Sequence, residues 1–353
     1  MKKGSLLPVL ALTAVLLLSL LCLNRLFLPK YTGRVVEGRF IEEYYREPEN
    51  HDVLFLGDCE VYENISPVRL WELYGITSWI RGSAQQTIPQ SWYFLKETLK
   101  YERPRAVVLS VSAMQQIEQV NETYNRMTLD GMRWSDCKLG AILDTKMEGE
   151  HLTEYVFPLL RFHSRWSDLN GDDFRYFLKK PQATHNGYYL RADVRPAGEF
   201  PEERRPRNPR FEEKGYEYLD RIRESCEASG IRLILFKAPS LYPHWHAEWN
   251  GQIEEYAASH GLLYINPLED IARTGIDFSC DTYDGGLHMN VYGAEKMAAY
   301  LGPLLRGAAD LPDHRDDRTL AAVWEEKIRL YENEKASQEA EFAAKGYLSQ
   351  FTE

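Results

Sequence analysis

The stretch Val53-Leu-Phe-Leu-Gly57-Asp58-Cys59-Glu60 decides the fold of this chain. Four consecutive apolar residues are too few for a helix, and the glycine closes the run, so it reads as a strand buried on both faces. Working outward from it, the same signature recurs. Ser66-Pro67 supplies an N-cap and first-turn proline for a helix through Tyr74, and Gly75 stops it. Residues 76–80 form the next short apolar run. Residues 91–101 carry Trp92, Leu95 and Leu99 on one helical face, and 106–111 make a third strand. Further along come a helix over 211–229 closed by Gly230, a strand over 231–236, a helix over 253–260 capped by Gly261, a fifth strand over 262–265 and a last core helix over 290–305. Near-continuous apolar strands alternating with helices predict an α/β, three-layer, flavodoxin-like fold with five parallel strands.

Ahead of this pattern, residues 6–23 are almost wholly apolar, preceded by Lys2 and Lys3 and followed by Asn24 and Arg25. Eighteen such residues approach the roughly 20 that cross a bilayer as a helix. The exit, Leu20-Leu-Cys22-Leu-Asn-Arg25, has no small-x-small cleavage site, so the segment is expected to be an uncleaved transmembrane anchor. Basic residues on both flanks (Arg25, Lys30 and Arg34 on the far side) leave a weak charge bias. A short basic N-terminus before a large domain favours an extracytoplasmic domain in the cell membrane. The organisation read from the sequence is an anchor over 1–30, an α/β domain over 48–310 interrupted by a polar, aromatic-rich insertion at about 114–210, and a charged helical tail over 311–353. The insertion is expected over the strand ends. The tail, with Val323, Ile328 and Tyr331 on a thin stripe, is expected to lie on the domain surface.

The 353 residues carry a net charge of −11, which argues against a nucleic-acid partner. Five cysteines (Cys22, Cys59, Cys137, Cys226, Cys280) form no metal-like pair, so neither a metal nor a cofactor is expected, and disulfide pairing stays open. The basic run Glu202-Glu-Arg-Arg-Pro-Arg-Asn-Pro-Arg210 reads as a solvated loop, and Pro243-His-Trp-His-Ala-Glu-Trp249 as an aromatic loop at the site mouth.

In doubly wound sheets, ligands sit at the carboxyl ends of the strands. Three segments converge there: Gly57-Asp58-Cys59-Glu60, Arg81-Gly82-Ser83 and Asp284-Gly-Gly-Leu-His288-Met-Asn290. A strand followed by Gly-Asp and a nucleophile, a glycine after the second strand, and an Asp…His pair before the final helix resemble the SGNH/GDSL hydrolase family. The anchor and the block His288-Met-Asn-Val-Tyr-Gly-Ala294 are most similar to its membrane-tethered bacterial branch, which includes proteins of teichoic-acid D-alanylation and exopolysaccharide O-acetylation. The resemblance runs over about 52–305. It implies Cys59 as nucleophile, His288 as base, Asp284 as its orienting carboxylate, and Asp58 and Gly82 in the oxyanion and substrate set. It further implies acyl transfer or ester cleavage on a cell-surface glycan or acylated polymer, with a membrane-bound acyltransferase as a possible partner.

The chain departs from that pattern. Cysteine stands where the family has serine, and a four-residue step replaces Asp-x-x-His, so Asp281 is a second candidate for the orienting role. Gly-x-Asn-Asp after the third strand is missing, which leaves Ser112 or Asn290 as candidate side-chain oxyanion donors. A cysteine at a helix start beside an imidazole is expected to shift toward thiolate, with Glu60 pointing away from it. His163, Arg165 and Trp166 in the insertion are candidate substrate contacts on a lid. The competing reading is a catalytically inactive module that keeps the fold and binds a glycan or a partner.

Overall fold

The computed structural model describes residues 6–30, 37–47, 50–180 and 182–351. Lys2, Lys3 and Arg34, which enter the orientation argument, lie outside them, as do the expected boundaries at residues 1, 48 and 353. The elements in chain order are α1 (Leu6–Phe27), α2 (Phe40–Tyr44), β1 (Val53–Gly57), α3 (Cys59–Tyr62), α4 (Pro67–Tyr74), β2 (Ser78–Gly82), α5 (Ile88–Thr98) and β3 (Ala106–Ser110). The insertion supplies α6 (Glu122–Gly131), α7 (Asp136–Thr145), α8 (Leu152–Val156), α9 (Leu159–Phe162) and α10 (Gly171–Leu178). The chain then forms α11 (Glu213–Ala228), β4 (Arg232–Phe236), α12 (Ala247–His260), β5 (Leu263–Ile265), α13 (Val291–Ala308) and α14 (Arg318–Lys345).

All five strands are parallel, in the order β2-β1-β3-β4-β5. Successive strand residues feed opposite layers. Phe55, Val108 and Ile234 pack toward α4 and α13, whereas Leu54, Val107 and Leu233 pack toward α5 and α11. Both faces are covered, which is why the strands read as unbroken apolar runs. The order reverses between β1 and β3, so the crevice at the carboxyl end of β1 is the place where this topology leaves room for a ligand.

The caps explain the helix limits. Ser66 accepts from the Arg69 N–H and Gly75 closes α4 in the left-handed region. At α5, Thr87 and Gln90 form a reciprocal capping box around Pro89, so the helix starts three residues earlier than expected. The tail is a helix laid on the domain, but its stripe is centred elsewhere. Trp324, not Val323, is fully buried, stacked on Trp71 with ring centroids 4.9 Å apart.

The insertion divides between several surfaces. Its α7 packs on α5, where Cys137, Ala141 and Ile142 join the layer of Phe94 and Leu95. Its α9 and α10 pack on the end of α1, whose apolar surface competes for them. Residues 184–195 then return along the open edge of β2, where the Ile80 N–H donates to the Asn186 carbonyl (2.9 Å). That covers the edge. The same run reaches the crevice: the Tyr189 N–H donates to Tyr62 and the Arg195 N–H to Thr282.

α1 is long and apolar enough to cross a membrane, with mean hydropathy 2.3 over its span and almost no burial.

Candidate active site

Gly57 ends β1 with a positive φ, and a Cβ there would come within 2.6 Å of the Ser110 Cβ, so only glycine permits this turn. Asp58 then caps the one-turn helix α3, its Oδ1 accepting from the Glu60 N–H (3.1 Å), and Cys59 is the helix's first residue. Gly82 lies in register with Gly57 at the end of β2; a Cβ there would press on the Tyr62 ring at 2.9 Å.

The loop before α13 is folded around Asp284. Its Oδ1 accepts from the backbone N–H groups of Leu287 (3.1 Å) and His288 (2.9 Å), and its Oδ2 lies 2.6 Å from His288 Nδ1. Asp284 is therefore the carboxylate that fixes the imidazole. Asp281 instead pairs with Lys296 (2.5 Å). The Cys59 thiol lies close enough to this ring for each group to shift the titration of the other. One amide sets the spacing between these segments: Asn64 accepts from the Met289 N–H (2.7 Å) and donates to the Glu60 carbonyl (3.2 Å).

A residue that sequence reasoning missed completes the cluster. Glu63 Oε2 lies 3.4 Å from His288 Nδ1 and accepts a short hydrogen bond from the Tyr283 hydroxyl. Its signal was the i, i+4 step from Cys59, which puts both side chains on one helical face. Burial works against a charged imidazole, but Glu63, Cys59 and the Asp284 hydrogen bond outweigh it and hold His288 well above the usual histidine range. Cys59 moves the opposite way from expectation. Burial, with Asp58 and Glu63 beside it, pushes the thiol up to about 12 despite the favourable His288 contact. Four residues of α3 give little helix field, and desolvation prevails.

Glu60 is buried, and the charges that act on Cys59 are those of His288, Asp58 and Glu63. Glu60 turns inward, where Lys237 donates to its Oε1 (2.6 Å), so its charge is compensated internally. Asp58 Oδ1 also accepts from the Ser112 hydroxyl (3.3 Å), and its Oδ2 from Gln116 (3.1 Å); burial and Glu60 raise its carboxyl to about 6. Ser112, bonded to Asp58 and Ser110, thus braces the turn. Asn290 is corrected in the same sense. Its oxygen caps α13, and both N–H groups of its amide are given to the carbonyls of Asp193 and Cys280, leaving no donor for an oxyanion.

The three insertion residues lie in the segment that packs by the end of α1. Arg165 donates to the Phe27 carbonyl (2.6 Å) and pairs with Asp173, His163 Nδ1 meets the Leu160 carbonyl, and Trp166 is 73% exposed. The aromatic loop clamps the basic run: His244 meets the Pro201 carbonyl and Trp249 donates to Asn208. All five cysteines are free thiols, and Cys137 and Cys226 are buried. Among the described residues, the one group with metal-ligand spacing is Glu63, Asp284 and His288, whose donor atoms lie within 4.8 Å of one another. Those same atoms already share the Nδ1 hydrogen bonds.

No family model matches the sequence, and no curated protein does. Among solved structures, a putative acylhydrolase from Bacteroides fragilis NCTC 9343 is similar at 12% identity and a TM-score of 0.37, over 75% of this chain and 94% of that one. A GDSL-like lipase from Bacteroides thetaiotaomicron VPI-5482 is similar at 13% identity and a TM-score of 0.37, over 77% and 98%.

Proposed function

We propose that this protein is a membrane-anchored SGNH-type enzyme that transfers or cleaves acyl groups on a cell-surface glycan or envelope polymer. The observation that carries the reading is the array in which the Cys59 thiol meets His288, whose far nitrogen is held by Asp284 at 2.6 Å. A nucleophile, a base and an orienting carboxylate in that order are the parts of nucleophilic acyl transfer. The thiol gives its proton to the imidazole as sulfur bonds the acyl carbon. The leaving alcohol takes that proton as its C–O bond breaks, which leaves a thioester. An acceptor hydroxyl or water then attacks, and the thiol is restored. The Gly82 N–H is the candidate oxyanion donor. α1 is read as an uncleaved anchor with the domain outside the cytoplasm, which suits a fixed envelope substrate. A membrane-bound acyltransferase is the candidate source of the acyl group.

Its carboxylate neighbours hold His288 above the usual histidine range, and it serves as a base only after losing its proton. Activity therefore rises with pH through a midpoint above the ordinary histidine value. Incubation with p-nitrophenyl acetate followed by peptide mass spectrometry tests the proposal: acetyl on Cys59, absent in Cys59→Ala, is expected. A second reading, a non-catalytic binding module, is favoured by the unionised thiol and by the commitment of the Ser112 and Asn290 side chains. Protein that stays unlabelled at alkaline pH yet binds glycan would establish that reading and reject the enzyme.

A further inference from the structure

Where α1 meets the domain, a cavity of about 430 Å³ opens between the last turns of α1, α2, the end of α6 and α10. Its size lies within the range of small-ligand sites. Five cations line it, Arg25, Lys30, Arg46, Arg133 and Lys180, against two carboxylates, in a chain of net charge −11. Both carboxylates are already engaged: Glu42 by Lys180 and the Tyr176 hydroxyl, Asp130 by Arg126 at 2.9 Å.

The remaining cations are not matched in kind. Arg25 lies over the Phe177 ring (5.3 Å) and Arg133 over the Tyr45 ring (4.5 Å), and among the described residues neither has a carboxylate partner. Arg46 stands 3.6 Å from Glu43, itself committed to Thr184. Lys30 donates to carbonyls at the end of α1. Burial lowers its ammonium to about 8; Asp173 opposes the shift, and Arg165, Arg25 and Lys180 add to it. Like charges gathered in a cavity in excess of their counter-charges are stabilised by an anion from outside.

The other wall is apolar. Leu21, Leu28, Met127 and Met132 line it, and Leu21 continues onto the 63% exposed flank of α1. Twenty-two helical residues at about 1.5 Å each span the hydrocarbon layer, which sets this end of α1 at headgroup depth. We propose that the cavity binds the phosphate headgroup of an anionic membrane lipid whose acyl chains run along α1. This rests on the reading of α1 as an uncleaved anchor. A lipid held here would lock the domain to the membrane in one orientation, and with it the height of the crevice at Cys59.

The test uses the full chain in nanodiscs of phosphatidylcholine with a minor fraction of phosphatidylglycerol, read by native mass spectrometry of retained lipid. The expected result is retention of phosphatidylglycerol over phosphatidylcholine by about tenfold, lost in an Arg46→Gln/Arg133→Gln variant and reduced in Arg133→Gln alone, whose side chain is exposed. Equal retention of the two lipids, or a preference unchanged in the double variant, overturns the proposal. Displacement of the lipid by millimolar inorganic phosphate overturns it in favour of a soluble anion. Intact mass of the membrane-recovered protein separates the two failures. A chain lacking α1 removes the anchor reading and the cavity wall together, whereas a full-length chain without selectivity removes only the lipid site.

Discussion

The crevice around Cys59 and the cavity at the foot of α1 are both crowded with charge, but they balance it differently. In the crevice Glu60 pairs with Lys237, and Asp284 and Glu63 with His288. In the cavity four cations face rings, carbonyls and a committed carboxylate. Matched charge belongs to the folded chain itself, where removing one partner strands the other in low dielectric. Surplus charge of one sign is an invitation to a ligand, and removing part of it costs the fold little. The contrast also marks what each place is for. The crevice surrounds a thiol held up at about 12 with paired charges, and the cavity leaves Arg25 and Arg133 without a carboxylate partner among the described residues.

The largest expected effect is on chemistry in the crevice. Cys59→Ala abolishes acyl labelling and turnover, and His288→Asn lowers turnover by about 10²–10⁴-fold, the usual contribution of a positioned base, as read with an activated ester. Turnover unchanged in either variant would leave the crevice a structural knot. Next comes a direct trial of matched against surplus charge. Lys237→Met strands Glu60 and costs about 3–5 kcal/mol in urea unfolding of the full chain, followed by tryptophan fluorescence. Arg133→Gln in the cavity stays within about 0.5 kcal/mol. Equal costs would break the distinction. A third measurement is the alkylation rate of Cys59 by iodoacetamide. Because the thiol sits at about 12, its thiolate fraction rises about tenfold per pH unit from neutrality upward. A plateau near pH 7 would mean the shell does not hold the thiol neutral. The smallest effect is at Glu63→Gln. It removes a carboxylate that favours the imidazolium, so the rising limb of the pH–rate profile moves to lower pH with the maximum largely kept.

Most of the fold was legible because burial of the sheet on both sides writes itself into the sequence as apolar runs, and Gly57, Gly75, Gly230 and Gly261 punctuate them in the backbone conformations that favour glycine. The order Gly-Asp-Cys early and Asp…His late likewise indicated which side chains meet. What stayed hidden was decided by distant partners. Glu60 can turn inward only because Lys237, 177 residues on, waits there. Asn290 spends its amide on two carbonyls from separate segments. The insertion was legible only in part, because periodicity shows which face of a helix is apolar but not which surface will receive it: α7 packs on α5 and α9 and α10 on α1, while Gln116 and residues 184–195 reach the crevice. The cysteine misled for a similar reason. A rule about helix starts ignores how much protein is stacked on top.

Trp324 of α14 stacks on Trp71 of α4, and Tyr331 reaches the hydroxyl of Ser66 that begins it. A ribosome makes the cysteine turn early and the imidazole loop and this closing helix much later. Until they arrive, the nascent chain displays a sulfur with neither its base nor its neighbours in place. The neighbourhood of Cys59 and His288 is thus assembled only when the scaffold is nearly whole, and the burial that raises the thiol to about 12 comes with it.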